Sequence, residues 1–350
     1  MTEFESAIDN TILETPNIKD KSESENRLKL PSGINQIIGY IRLFISEEFN
    51  AGYFFTIGGF LILSLYLNYS LDFENSILES YSGQYIYNVY LIIFYAVPFY
   101  FSAITYAWFY KDKTHLKKAE FWIKSLLCFL ILTFSETASF VYRPFLRSVI
   151  PELYYNFVYE FLSEAIQSIL ILLPVFLVWY IYDRKNNFLY GLEKKNLDVS
   201  IYIIMILIMM PFIIGASFQQ SFLNYYPEYR PGKFEEMAGL SNWFTYPVFE
   251  FFYGMSFVSV EVLFRGLLIL GLARVMGKGS VLCMVTIYCY LHFGKPLGEA
   301  IGSVFGGFIL GVITYYSRSI LGGIIVHLGI AWMMDLAAIV QHIFRGTLND

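Results

Sequence analysis

Long, nearly uncharged apolar runs dominate this sequence, and they leave it few structures to adopt. A helix crossing a hydrocarbon core of about 30 Å needs about 20 apolar residues, each adding ~1.5 Å of rise. Runs that meet or approach this length lie near residues 52–69, 86–110, 121–140, 158–182 and 199–219, and again near 246–273, 279–293, 298–316 and 320–341. In lipid, a backbone N–H or C=O left without a partner is costly, so segments of this length must be helical. The expected fold is therefore all-α, a polytopic transmembrane helix bundle of eight to nine spans. Nine is the direct count, and eight follows if one short run is re-entrant. Composition agrees. Hydrophobic residues make up 56% of the chain and charged residues 15%, where soluble domains carry roughly 45–50% and 25%. Aromatics reach 19%, many near the ends of runs, as interfacial belts require.

The first 33 residues are polar and contain no apolar h-region, which predicts a disordered tail without a cleaved signal peptide. Next comes QIIGYIRLFISEEF, where Ile37, Ile38, Ile41, Phe44 and Ile45 share one helical stripe. That pattern predicts an interfacial helix, or one packed under the bundle. Lys and Arg gather in the connections that share the N-terminal side, which predicts an inside N-terminus. A net charge of −5 without a basic patch argues against a nucleic-acid partner. Cys128, Cys283 and Cys289 sit inside apolar runs without metal-type spacing and read as buried thiols.

The domain organisation follows from these patterns. A polar tail covers 1–33, and an interfacial helix with an accessory transmembrane region covers 34–219. A polar loop marked by Pro and Gly covers 220–245, and a functional region covers 246–342.

Ionisable groups in a span cost about 2.5–3.5 kcal/mol each at the helix centre on insertion scales, so each needs a reason. Lys124 is near a span end and can snorkel; Glu136 and Glu160 also lie toward ends, while Glu164 is deeper. The later spans differ. Glu261 and Arg265, four apart, share a helix face and can pair. His292 follows Tyr288 at four-residue spacing, and His327 lies on one stripe with Ala331 and Asp335. A packing ion pair and two packing histidines are the structural reading; convergence on one polar site is the functional one. Counted from the inner span ends, Glu261 and His292 lie about 18–20 Å deep and His327 about 10 Å, so tilt or a longer helix must bring the last into register. Gly302, Gly306, Gly307 and Gly311 mark the intervening span as a spacer that lets neighbouring backbones approach.

Over about residues 245–341 these features resemble the CPBP family of intramembrane metalloproteases, which includes the CAAX prenyl protease and Abi-type membrane proteins. The family pattern of Glu-Glu-x-x-x-Arg, Phe-x-x-x-His and His-x-x-x-Asn reads here as Val260-Glu261-x-x-x-Arg265, Tyr288-x-x-x-His292 and His327-x-x-x-Ala331. The resemblance implies a four-helix catalytic core in the C-terminal half and hydrolysis of a peptide bond within or beside the membrane. The substrate would be a membrane-associated, CAAX-like protein or peptide, and the location a cell membrane, the cytoplasmic membrane of a bacterium. By the same carry-over Glu261 and His292 share the activation of water, His327 supports the oxyanion, and Arg265 holds the local carboxylate. No cofactor is expected with certainty. A divalent metal such as zinc is the one candidate, since Glu and His can ligate it, although no His-Glu-x-x-His helix is present.

Two positions depart from the pattern. Val260 replaces the first Glu, and Glu261 points ~100° away from that position on a regular α-helix, so substitution needs a rotated or bulged helix. Ala331 replaces the Asn and removes an oxyanion donor, a loss that typically costs about 100- to 1,000-fold in rate. Two other readings stay open: a catalytically silent scaffold or immunity-type protein with the same fold, and a small transporter.

Overall fold

The computed structural model describes residues 32–185, 189–193 and 197–347. The tail expected at 1–33 lies outside the described residues except for its last two positions, which begin the first helix. Among the described residues there are helices and no strand. In order they are α1 (Ser32–Glu48), α2 (Ala51–Leu71), α3 (Tyr85–Phe109), α4 (Ala119–Thr137), α5 (Ser139–Val149), α6 (Glu152–Val178) and α7 (Val199–Ala216). Short α8 (Gln220–Tyr225) and α9 (Lys233–Ala238) follow, then α10 (Asn242–Glu261), α11 (Ala273–Met276), α12 (Gly279–Tyr290), α13 (Leu297–Ser317) and α14 (Leu321–Arg345).

Among the described residues, eight helical segments are long and apolar enough to cross a membrane: Ala51–Leu71, Tyr85–Phe109, Ala119–Val149, Glu152–Asp183, Val199–Ala216, Phe244–Met276, Leu297–Ser317 and Leu321–Arg345. The protein is thus a multi-pass helical membrane protein. The ninth expected span, 279–293, is a 12-residue helix, Gly279–Tyr290, about 18 Å long. It is too short to cross alone, and every residue from Gly279 to Cys289 is buried. A helix that is apolar all round belongs in an interior. α12 is the central post around which α3, α13 and the segment after α10 pack.

Ends and kinks have local causes. Asn50 caps α2 by accepting a hydrogen bond from the Tyr53 N–H at 3.1 Å. α13 stops at Arg318, which takes a left-handed φ of 58°. Pro98 lies inside α3, and its carbonyl accepts from the Thr286 hydroxyl on α12 at 3.0 Å. The loop expected at 220–245 holds two six-residue helices, α8 and α9. α1 is packed under the bundle, with Phe44 buried and edge-on to Phe308 of α13.

The glycine-rich α13 serves as the expected spacer on one side. A Cβ at Gly307 would lie 3.1 Å from the Tyr288 ring, and one at Gly311 would lie 3.0 Å from Met284 and 3.1 Å from Val281. Gly302 and Gly306 face open space and have no such role.

Lys124 does not snorkel. It is fully buried, and its Nζ lies 2.6 Å from Glu120, 2.8 Å from Asp183 and 2.7 Å from the Gly271 carbonyl. Asp183 also accepts from the Tyr190 hydroxyl at 2.6 Å. Paired carboxylates inside the bundle hold the ammonium better than a distant interface could. The network also ties the early helices to the segment that carries Glu261 and Arg265.

Candidate functional site

The site begins with a change of helix type. α10 ends at Glu261, and Val262–Leu270 continues as a nine-residue π-helix whose hydrogen bonds skip five residues, as from the Gly271 N–H to the Gly266 carbonyl at 2.9 Å. All nine residues of that segment are buried. π segments are rare, wide and frequent at functional sites. This one begins immediately after Glu261, while Val260 and Glu261 themselves close the regular helix α10. Glu261 is fully buried, whereas Val260 is partly buried and packs on the apolar core.

Glu261 meets two partners through one oxygen. Its Oε1 lies 2.9 Å from Arg265 Nη1 and 3.0 Å from His327 Nδ1. The arginine contact is a close charge pair without hydrogen-bond alignment, since Nη1 and Nε have no aligned acceptor. Glu261 Oε2 has no donor. Glu261 and His327 meet at 3.0 Å despite the depth mismatch counted along the chain.

Tyr288 joins the remaining pieces. Its ring lies under the Arg265 guanidinium at 4.2 Å, a cation–π contact. Its hydroxyl is 3.3 Å from His327 Nε2. Its carbonyl accepts from His292 Nδ1 at 2.8 Å, and the rings of Tyr288 and His292 have centroids 4.6 Å apart. Because Nδ1 donates to a carbonyl, neutral His292 keeps its lone pair on Nε2. Phe257 closes the other side of His327 at 4.6 Å between centroids.

The structure therefore brings Glu261, Arg265 and His327 into direct contact and sets His292 beside them through Tyr288. It shows no contact between Glu261 and His292, the pair expected to share the base role. Glu261 is instead the residue that orients His327. Tyr288, noted in the sequence only as the aromatic of a His motif, links three of them, Arg265, His327 and His292. Its helical spacing to His292 was visible; its reach to Arg265 and His327 depends on helix packing. Ala331, at the Asn position, sits among the rings of Phe249, Tyr253 and Tyr229 and supplies no donor.

The donor set does not fit a zinc ion. Among the described residues no group of three or more His, Cys, Asp or Glu side chains converges on one point. Glu261 Oε1 is committed to Arg265 and His327, and His327 Nδ1 is committed to Glu261.

Residues 242–333 match the family described as type II CAAX prenyl endopeptidase Rce1-like. The match includes Glu261, Arg265, Tyr288, His292 and His327 and covers the last helices of the bundle. No curated protein and no solved structure matches the chain.

Proposed function

Residues 242–333 belong to the CPBP family of CAAX-type intramembrane peptidases, and from that premise we propose that the chain hydrolyses a peptide bond of a membrane-associated protein. The observation that carries the proposal is the continuous set of contacts from Arg265 through Glu261 to His327 and through Tyr288 to His292. In the proposed reaction, His292 Nε2 takes a proton from water, and the water oxygen attacks the peptide carbonyl carbon. His327 in its protonated form, bound to Glu261 through Nδ1, donates from Nε2 to the oxyanion together with the Tyr288 hydroxyl. The C–N bond then breaks, and the departing nitrogen takes the proton from His292. Arg265 pairs with Glu261 in a lipid-embedded setting where a lone carboxylate is costly. A prenylated, CAAX-like protein in a bacterial cytoplasmic membrane is the substrate this reading favours.

The test uses the full chain in proteoliposomes with a membrane-anchored peptide reporter. Cleavage by the wild type, lost by about 100-fold or more in His292→Ala with the variant still folded, supports the proposal. Equal cleavage by that variant sinks it.

A second reading rests on one specific observation. Val260 offers no proton acceptor, and Ala331 is packed into an aromatic cluster. A chain that keeps the fold and its ion pair without turnover, a silent scaffold or immunity-type protein, has the same description.

A further inference from the structure

A second polar site lies two helical turns from His327, in residues the reaction above does not use. Asp335 is eight residues further along α14, just beyond the matched segment, and is 1% exposed. Its carboxyl meets that of Glu250 on α10; the two form a hydrogen bond only when one of them carries a proton. Glu250 Oε2 and Asp335 Oδ2 are both buried without any protein donor, as is the hydroxyl of Tyr246 on the same helix as Glu250. Among the described residues the donor to this pair is the Glu228 N–H, 3.1 Å from Asp335 Oδ1.

The surroundings are acidic and short of counter-ions. Burial raises the Glu228 carboxyl to about 7 against the opposing pull of Lys295. Lys295 is already engaged with Glu299 at 3.5 Å and stacked on Tyr225 at 5.0 Å. Arg230 donates to the carbonyls of Leu223 at 2.8 Å and Tyr226 at 3.3 Å. A buried carboxyl facing a half-buried one, with an oxygen of each shielded from solvent, needs a proton or a cation between them. α10 and α14 are fixed here by the Trp332 indole, which donates to the Glu250 carbonyl at 3.1 Å, so the pair cannot simply drift apart.

We infer that Glu250 and Asp335 form a subsite for a cationic side chain, lysine or arginine, of the peptide that the His292–His327 site would cleave. The inference rests on the peptidase reading for what the peptide is doing there. Eight helical residues span about 12 Å, which is three to four residues of extended chain at ~3.3 Å each. The basic residue is therefore expected three or four positions from the scissile bond. It displaces the shared proton and lets both carboxylates ionise.

The experiment uses wild-type proteoliposomes and paired membrane-anchored peptides that differ only in lysine or norleucine at the third and fourth positions on either side of the cleaved bond. The expected result is a preference for lysine of about tenfold or more, abolished in Glu250→Gln and in Asp335→Asn. Cleavage without a lysine preference, or a preference that survives both folded variants, overturns the subsite and leaves the peptidase reading standing. If neither variant folds, the wild-type preference alone decides. If the wild type cleaves nothing, the peptidase reading falls, and binding of fluorescent single-lysine and norleucine peptides still tests the subsite. Equal binding overturns it.

Discussion

Gly323 on α14 stands directly against the carboxylate of Glu261, and a Cβ there would be in hard contact with Glu261 Oε2. The glycine is what lets α14 bring His327, one turn later, to 3.0 Å from Glu261. The carboxylate cannot yield freely, because its other oxygen is held by Arg265 and His327. Gly323→Ala is therefore expected to destabilise the protein by about 1–3 kcal/mol, the usual cost of overpacking a closed site, and to depress any hydrolysis further by displacing Glu261. Gly306→Ala, which would meet nothing within 4 Å, is the control. Thermal unfolding in detergent would decide; equal midpoints for the two variants would contradict this account.

The Glu261–Arg265 pair is fully buried. Removing one member leaves an unpaired charge, so Arg265→Met is expected to cost about 3–5 kcal/mol. Replacing both with apolar residues of similar size, Glu261→Leu with Arg265→Met, should recover much of that loss, while activity stays abolished. A double variant no more stable than Arg265→Met would show that the pair is not the source of the cost.

How much of this was visible in the sequence differs by element. The long spans were legible because twenty-odd apolar residues in lipid permit only a helix, and their ends fall within a few residues of those expected at 52–69 and 320–341. α12 was not, since a short apolar run reads alike whether it crosses the membrane or is buried by neighbours. The four ionisable site residues could be named from cost alone: charge in a span demands a partner. Which partner could not. The contact of Glu261 with His327 depends on how α10 packs against α14, and no period in VLFRGLLIL announces the π-helix that follows Glu261. Lys124 was misjudged for a related reason. Its distance from a span end allowed snorkelling, but Asp183, 59 positions away, reaches it in the interior.

Glu74, in the turn between α2 and α3, should make stability depend on pH. Burial and the neighbouring carboxylates of Glu136, Glu79 and Asp72 raise it from 4.5 to about 7. A group whose folded pKa is raised binds its proton more tightly in the native state. Stability is then greatest below about 4.5 and falls as the pH rises through about 7. Its carboxylate also abuts Gly294, next to the His292 turn, where a Cβ would lie 2.6 Å away. Glu74→Gln is expected to be flatter than the wild type in a comparison of unfolding midpoints at pH 5 and pH 8. An unchanged difference between the two pH values would rule Glu74 out as the source.

Val260 offers the most direct test of what the site lacks. It precedes the π-helix, is partly buried, and borders the same core as Tyr288. A carboxylate at 260 would stand one residue before Glu261, whose own carboxylate is already committed to Arg265 and His327. It would therefore be a second acid free to accept a proton from water. A positioned general base typically contributes about 100- to 10,000-fold, so Val260→Glu is expected to raise hydrolysis of the reporter peptide by at least the lower figure over the wild type. The gain should require His292, and adding His292→Ala should erase it. Glu at 260 also adds a charge near lipid, so the variant must be shown to be folded by its unfolding midpoint. A folded Val260→Glu protein with no gain would mean that the barrier lies elsewhere, with the missing donor at Ala331 the next position to restore.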